Sequence, residues 1–426
     1  MAGDRFIIEG GHPLQGSIRI SGAKNAALPC MAAALLTAED CILENVPRIE
    51  DVTIMAQVLA ALGAKVEWLG EDRLRLNAAH IATTEAPSHL VVKNRASFLV
   101  MGPLLGRFGE AACSPPGGDV IGMRPIDVHL VGFQALGAKV SRSDEKYRAQ
   151  AKELEGTGIF MDYPSNMGTE NLIMAACLAR GETVIKNAAC EPEIACLAEA
   201  LNRMGAKIHG AGTNTIQIQG VPRLHGFTMS VIPDRIEAGT YAIAAAISGG
   251  DVTLNDVRYD HMDAFIWKLR EAGVGVYLDE GSIRIKGNGC LSAVTIQALP
   301  YPGFATDLQA TIGVLLTQAK GVSVIHERVY DNRLLYVGEL RRMGAEVVVA
   351  GQTAIITGPT PLVGTPVRAL DIRSGAALVL AGLVAQGRTE IYDIYHLDRG
   401  YQDLDKKFKC LGADITRQTT PETAPF

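Results

Sequence analysis

The sequence predicts an α/β protein of two domains, built from six copies of one unit of about 70 residues. Three observations carry this. A phrase of the form Leu-Gly-Ala-Lys-Val recurs as Leu62–Val66, Leu136–Val140, Met204–Ile208, Ala272–Val276, Met343–Val347 and Leu411–Ile415. Its glycines, at 63, 137, 205, 273, 344 and 412, lie 74, 68, 68, 71 and 68 residues apart, a spacing that chance does not give. The 426 residues also exceed what one ordinary core accommodates.

Each copy has the same local logic. An amphipathic helix precedes the phrase, as in Val128–Leu136 or Met262–Arg270. The glycine takes the left-handed position that ends that helix. An apolar strand with β-branched residues follows. A second helix in each copy is apolar on nearly every face: Ala26–Leu36, Ala96–Leu105, Asn171–Ala179, Tyr241–Ile247, Leu308–Leu316 and Ala376–Val384. Such helices must be buried all round, three to a domain, walled by short sheets. Their polar residues cluster at the N-terminal ends: Lys24 and Asn25; Arg95; Ser165, Thr169 and Glu170; Arg235 and Glu237; Thr306 and Asp307; Asp371 and Arg373. Helix N-termini carry partial positive charge and free N–H groups, so a cleft between two such lobes suits anions. The tail from Arg417 reads as frayed.

Composition narrows the function. Hydrophobic residues make up 48% and charged residues 20%, the balance of a well-packed soluble protein. The net charge of −6 argues against nucleic acid or an acidic membrane as the main partner, so an anionic substrate requires a local basic cluster. The first residues lack a signal peptide's apolar core, and no run approaches a membrane span. The eight cysteines are scattered without a CxxC pair, which fits buried free thiols in a reducing cytoplasm and not a zinc or disulfide framework. Gly10-Gly11 and Gly249-Gly250 match no nucleotide fingerprint and read as turns. Asp393 and Asp398 form no metal constellation with nearby histidines, so neither metal nor other cofactor is expected.

Five motifs, in order, then become specific. They are Ser21–Pro29 (SGAKNAALP), Pro116–His129 (PGGDVIGMRPIDVH), Pro233–Thr240 (PDRIEAGT), Thr306-Asp307 with Asp331–Arg333, and His396–Tyr401 (HLDRGY). Together they resemble the bacterial UDP-N-acetylglucosamine enolpyruvyl transferases, nearly end to end. The resemblance implies two inside-out α/β barrels, each of three βαβαββ units: a first lobe over 22–232, carrying a mobile catalytic loop, and a second over 1–21 and 233–426. It implies transfer of the carboxyvinyl group of phosphoenolpyruvate to the 3-hydroxyl of UDP-N-acetylglucosamine, which commits that sugar to peptidoglycan. Both substrates are small molecules, and a monomer or weak homo-oligomer is expected.

That chemistry needs a clamp for a phosphate and a carboxylate, an acid for the methylene carbon and a base for the sugar hydroxyl. The resemblance assigns the clamp to Lys24, Arg124, Arg333 and Arg399. Arg124 and Arg399 each lie 13 residues before their repeat glycine, and Arg333 lies 11 before. A cation near a helix start opposes the helix dipole, a conflict that an anionic ligand removes; taken alone, the same arginines fit ion-paired surface positions. Asp307 is the expected base, although Thr306-Asp307 also reads as a plain helix cap. Asn25 and Arg95 are expected to contact substrate. Arg124, Pro125, Ile126, Asp127, Val128 and His129 match the segment that cradles uracil and ribose. Ser165, Thr169 and Val329 are further carry-overs, and Asp371 and Arg373 match a polar helix start that supports the clamp.

Two stretches depart from the family pattern. Most relatives carry cysteine where Asp119 stands; the position is expected to act as general acid, which requires a dry closed site to raise the carboxyl pKa against the pull of the arginines. A carboxylate there implies insensitivity to epoxides such as fosfomycin, which alkylate the thiolate. Cys113, six residues upstream, reads as structural. Tyr163–Thr169 keeps Ser165 and Thr169 but alters the middle of a segment that touches the nucleotide. Transfer to another uridine nucleotide, transfer to shikimate phosphate, and a non-catalytic UDP-sugar-binding paralogue are therefore the competing readings.

Overall fold

The computed structural model describes residues 3–119, 121–122, 124–143 and 145–419. By their internal contacts the described residues form two compact units, one from Met1–Ser21, Asp119–Met123 and Pro233–Phe426, the other from Gly22–Gly118 and Arg124–Ile232. The segment at Asp119 therefore groups with Pro233–Phe426, although it interrupts the chain of the other unit.

Each unit is an inside-out α/β barrel, with helices as the core and sheets as the wall. In the unit of Gly22–Gly118 and Arg124–Ile232 the core helices are α1 (Lys24–Ala33), α2 (Met101–Phe108) and α3 (Asn166–Ala176). In the other unit they are α4 (Arg235–Ile247), α5 (Gln309–Thr317) and α6 (Ile372–Val384). Eleven residues of α4, from Ile236 to Ala246, are buried in succession, as the all-round apolar pattern requires. The polar starts differ in form. A 3₁₀ turn, Arg95–Val100, leads into α2, and another, Thr306–Leu308, leads into α5.

The six repeat glycines all adopt positive φ, from 89° at Gly273 to 111° at Gly63. Each strand after them joins a sheet of its own: Lys65–Trp68, Lys139–Ser143, Lys207–His209, Gly275–Asp279, Glu346–Ala350 and Asp414–Gln418. Among the described residues five of the sheets have four strands, and the sixth, Glu110–Cys113, Lys146–Gln150 and Lys139–Ser143, has three; there Glu85 bridges Ala112 in parallel.

The N-terminal strand Arg5–Glu9 lies between the last two strands of the chain, antiparallel to both, with Phe6 opposite Ile391 and Ile8 opposite Ile415. This pairing places the first residues in the C-terminal unit. It also corrects the expectation of a tail frayed from Arg417. Arg417 and Gln418 are in the strand, Arg417 bonded to Asp398 at 3.0 Å and to Asp4 at 3.3 Å, and Gln418 to Arg5 at 2.8 Å. Residues 420–426 of that tail, and Val120 and Met123 of the loop motif, lie outside the described residues.

All eight cysteines are free. No helix among the described residues is long and apolar enough to cross a membrane.

Candidate active site

In the C-terminal unit the turn that opens α5, the start of α6 and the turn Arg333–Tyr336 converge on one carboxylate. Asp307 sits in the turn Thr306–Leu308 that opens α5. Its Oδ1 accepts from Arg333 Nη2 at 2.8 Å; its Oδ2 accepts from Arg373 Nη2 at 3.0 Å and Nε at 3.1 Å. Arg333 is 5% exposed and Arg373 3%. Burial works to strip the charge from Arg373, but Asp307 overrides it and holds the guanidinium above its ordinary pKa. Among the described residues neither the turn nor α5 has a side-chain cap, and Asp307 accepts from the two arginines.

Arg373 owes its place to the helix start. Asp371 caps α6 in a reciprocal box, accepting from Arg373 N at 2.8 Å and Ser374 N at 3.1 Å while Ser374 Oγ accepts from Asp371 N at 2.8 Å. Arg373 Nη1 is buried with no hydrogen-bond partner among the described residues. A buried cationic donor without an acceptor costs free energy that an anion or a hydroxyl would recover.

The turn that carries Asp307 is pinned by Glu327, which sequence reasoning missed. Glu327 is 1% exposed and accepts from Thr306 Oγ1 at 2.8 Å, Val329 N at 2.8 Å and Tyr330 N at 3.2 Å. It thus ties Asp307, Val329 and the approach to Arg333 together. The available signal is the alternation of its strand, where Ser323, Ile325 and Glu327 share the buried face.

Asp119 makes the second charged contact. Its Oδ1 pairs with Arg399 Nη1, and His396 Nδ1 lies 3.8 Å away. All three side chains are between 10% and 15% exposed. Burial first, then the Arg399 charge, disfavours the protonated imidazole; Asp119 opposes them, and the His396 pKa stays below its ordinary value. Arg399 follows the short helix Tyr395–Asp398 and precedes Leu404–Cys410. The loop beyond Asp119 is held too: Asn332 N donates to Ile121 O at 3.2 Å. Gly122, at φ +131°, has no room for a side chain, since a Cβ would sit 1.9 Å from Asp331 Oδ1.

In the other unit Lys24 opens α1 and pairs with Asp51 at 3.2 Å, the carboxylate being 2% exposed. Asn94 caps the turn before α2, accepting from Ala96 N at 2.9 Å, and donates to Asp51 O at 3.1 Å, so the heads of two core helices are joined. Asn25 is half-buried on the first turn of α1. Arg95 Nη2 donates to Arg124 O, fixing the backbone of the Arg124–Asp127 segment, in which Pro125 and Asp127 are exposed and Arg124 and Ile126 half-buried. Val128 is half-buried in the helix Asp127–Ala135. Ser165 caps α3 through Gly168 N at 3.1 Å.

Two expected contact residues lie inside this unit instead of at its surface. His129 is 2% exposed, packs edge-on to Phe98 at 5.1 Å, and meets Asn171 Nδ2 at 3.0 Å. Burial, with Arg95 nearby, pushes its pKa down to about 3, so the ring is neutral and its Nδ1 accepts from the amide. Thr169 is fully buried, its hydroxyl accepting from Ala189 N at 3.0 Å and lying 3.4 Å from Met161 Sδ. Any part they play acts through α3 and the helix Asp127–Ala135. Cys113 is buried in its strand and its thiol is pushed up to about 12, the opposite of a reactive thiolate. Among the described residues no three His, Cys, Asp or Glu are placed to hold a metal.

Helices at the core and short sheets as the wall, three repeats to a unit, make the fold of the enolpyruvyl transferases. The chain belongs to the EPSP synthase (3-phosphoshikimate 1-carboxyvinyltransferase) family, whose model matches residues 8–408. Within that family it is 51% identical over 414 residues to UDP-N-acetylglucosamine 1-carboxyvinyltransferase 1 of Caldanaerobacter subterraneus subsp. tengcongensis, covering 97% of this chain and 99% of the relative. It is 49% identical over 416 residues to the UDP-N-acetylglucosamine 1-carboxyvinyltransferase of Desulfosudis oleivorans, covering 98% and 100%. Among solved structures it resembles the enolpyruvyl transferase NikO from Streptomyces tendae, with a TM-score of 0.90, 26% identity and coverage of 98% and 100%. It also shares the fold of EPSP synthase from Acinetobacter baumannii, at a TM-score of 0.77 and 18% identity over 97% and 100%.

Proposed function

We propose that this protein transfers the carboxyvinyl group of phosphoenolpyruvate to the 3-hydroxyl of UDP-N-acetylglucosamine, releasing phosphate, as the committing step of peptidoglycan synthesis in the cytoplasm. The observation that carries the reading is Asp307, a carboxylate at the head of a core helix with a guanidinium on each oxygen, in a chain about half identical to enzymes of that name.

In this reading Lys24, Arg124, Arg333 and Arg399 hold the phosphate and carboxylate of phosphoenolpyruvate by charge-assisted hydrogen bonds. Asn25, Arg95, the Arg124–Val128 segment, Ser165 and Val329 shape the acceptor site, with His129 and Thr169 behind them. Asp119 delivers a proton to the methylene carbon, and Asp307 accepts the proton of the sugar hydroxyl as its oxygen attacks the adjacent carbon. The product of addition is a tetrahedral ketal. Loss of a proton from its new methyl group to Asp119, and of phosphate with the proton held on Asp307, gives the vinyl ether and restores both carboxyls. Binding of an anion to Arg399 draws the guanidinium from Asp119 and removes the charge that favours the ionised carboxylate, which makes the acid available only when donor is present. The altered Tyr163–Thr169 run supports one second reading, the same chemistry on another uridine nucleotide.

The test is phosphate release from phosphoenolpyruvate with a panel of acceptors. Turnover with UDP-N-acetylglucosamine is expected. Turnover only with another uridine nucleotide selects the second reading, and turnover only with shikimate 3-phosphate, or with none, rejects both.

A further inference from the structure

We infer that Tyr401 is a positioning residue for this reaction, its hydroxyl setting the orientation in which Arg373 grips Asp307; the inference rests on the role proposed for Asp307. The direction of the hydrogen bonds follows from proton counting. The Thr240 hydroxyl has one proton, and it donates to Ile236 O at 2.9 Å. The contact of 2.9 Å between Thr240 Oγ1 and Tyr401 Oη therefore has Tyr401 as donor. With its only proton spent on α4, the phenol oxygen has lone pairs alone to offer on its other side.

Arg373 lies there. Its guanidinium carbon is 5.3 Å from the centre of the Tyr401 ring, near enough for each group to bias the charge of the other. A guanidinium has only donors, so a phenol oxygen with only lone pairs to offer suits it in every rotamer. The three residues are almost wholly buried, Thr240 at 0%, Tyr401 at 2% and Arg373 at 3%. No water need be invoked to order them. The sequence runs from Ile236 and Thr240 in α4, through Tyr401, to Arg373 in α6 and Asp307 before α5, so it spans the heads of all three core helices of its unit.

The arrangement matters because Arg373 is held at only one edge by Asp307, through Nε and Nη2. Nη1 has no hydrogen-bond partner among the described residues. Nη1 can therefore pull the guanidinium toward another acceptor, and the Tyr401 ring and oxygen packed beside it oppose that rotation; without the oxygen the two-nitrogen grip on Oδ2 is less firmly set. Asp307 would then meet the sugar hydroxyl in a shifted orientation. Misplacement of a reacting group by about 1 Å costs up to ~100-fold in rate.

The experiment is steady-state kinetics on Tyr401→Phe, Thr240→Val, Thr240→Ser and the double variant Tyr401→Phe/Thr240→Val, with thermal unfolding measured in parallel. Tyr401→Phe keeps the ring and removes only the oxygen. The expected result is kcat lowered about tenfold to a hundredfold with KM for the acceptor little changed. Thr240→Val should give a similar loss, Thr240→Ser should recover turnover relative to Thr240→Val, and the double variant should be no slower than the slower single one, because both act on one path. A Tyr401→Phe protein with wild-type kcat overturns the inference, as do kcat losses that multiply in the double variant or that only track the loss of thermal stability. If the wild-type protein itself shows no turnover, the proposed function fails and the inference falls with it, so the two failures are told apart by the wild-type control.

Discussion

Arg399 Nη1 and Asp119 Oδ1 form a charge-assisted hydrogen bond, with His396 Nδ1 3.8 Å from the same oxygen. In the mechanism proposed above Asp119 acts as a general acid, whereas a neighbouring guanidinium favours a carboxylate over a carboxylic acid. The pairing is useful only if something displaces the guanidinium, and the anionic donor does so in the mechanism above.

Asp119→Asn keeps the shape of the side chain and removes the titratable proton. Turnover is expected to fall by about 10²- to 10⁴-fold, the usual weight of general acid catalysis. Asp119→Cys should retain activity and become sensitive to an epoxide that leaves the wild-type protein untouched. Intact-mass analysis checks this: an adduct on wild-type protein would contradict the assignment, as would an Asp119→Asn enzyme at full speed.

Asp307→Ala removes the carboxylate between two guanidinium groups that are buried. Besides abolishing turnover, it should cost stability of about 3 kcal/mol, because Arg333 and Arg373 are left as uncompensated buried charges. Denaturant unfolding reports the loss. A variant as stable as wild type would mean that the arginines find other acceptors and that Asp307 does not organise this end of the unit.

Glu170, fully buried near the start of α3, has a pKa well above the ordinary carboxylate value, through burial first and then the charges of Glu193 and Glu191. Its folded pKa exceeds its unfolded one, so the folded state binds more protons. The contribution to stability is complete below the ordinary carboxylate range and is lost as pH rises through the elevated folded value. Glu170→Gln should therefore be more stable than wild type at pH 8 and no more stable at pH 4. Equal unfolding midpoints at pH 8 would contradict the burial of a protonated carboxyl.

His129 should remain neutral throughout the physiological range, since burial pushes its pKa down to about 3. Its imidazole resonances should not move between pH 5 and pH 8. A mid-range titration would place the ring in contact with solvent.

What was legible in the sequence is what local rules determine. Gly63 and its five counterparts announce a backbone conformation that only glycine adopts freely, and all six adopt it. The all-round apolar helices announce their own burial, because no other environment suits them. Sheet pairing is not local. Nothing in Arg5–Glu9 says that it lies between Arg388–Tyr392 and Asp414–Gln418, and the same blindness made Arg417 and Gln418 look frayed. At the site, an aspartate in the first turn of a helix serves equally as a cap or as a ligand for arginine, so pattern alone could not choose for Asp307; the family resemblance set the expectation, and its contacts with Arg333 and Arg373 give it a use other than capping. Glu327 was missed because a single glutamate at the end of an apolar strand looks like its solvent-facing terminus, while its acceptor role depends on Thr306, Val329 and Tyr330 folding around it.

The most direct test of the central claim is the mass of the nucleotide product formed from phosphoenolpyruvate and UDP-N-acetylglucosamine, with the reaction run in both light and heavy water. A UDP-sugar heavier by one carboxyvinyl group, carrying deuterium in its methylene when made in heavy water, is the expected result, since addition passes through a methyl group that must then lose a hydrogen. A UDP-sugar of unchanged mass, or a carboxyvinyl product without deuterium, would contradict the reaction or the addition–elimination route assigned to Asp119 and Asp307.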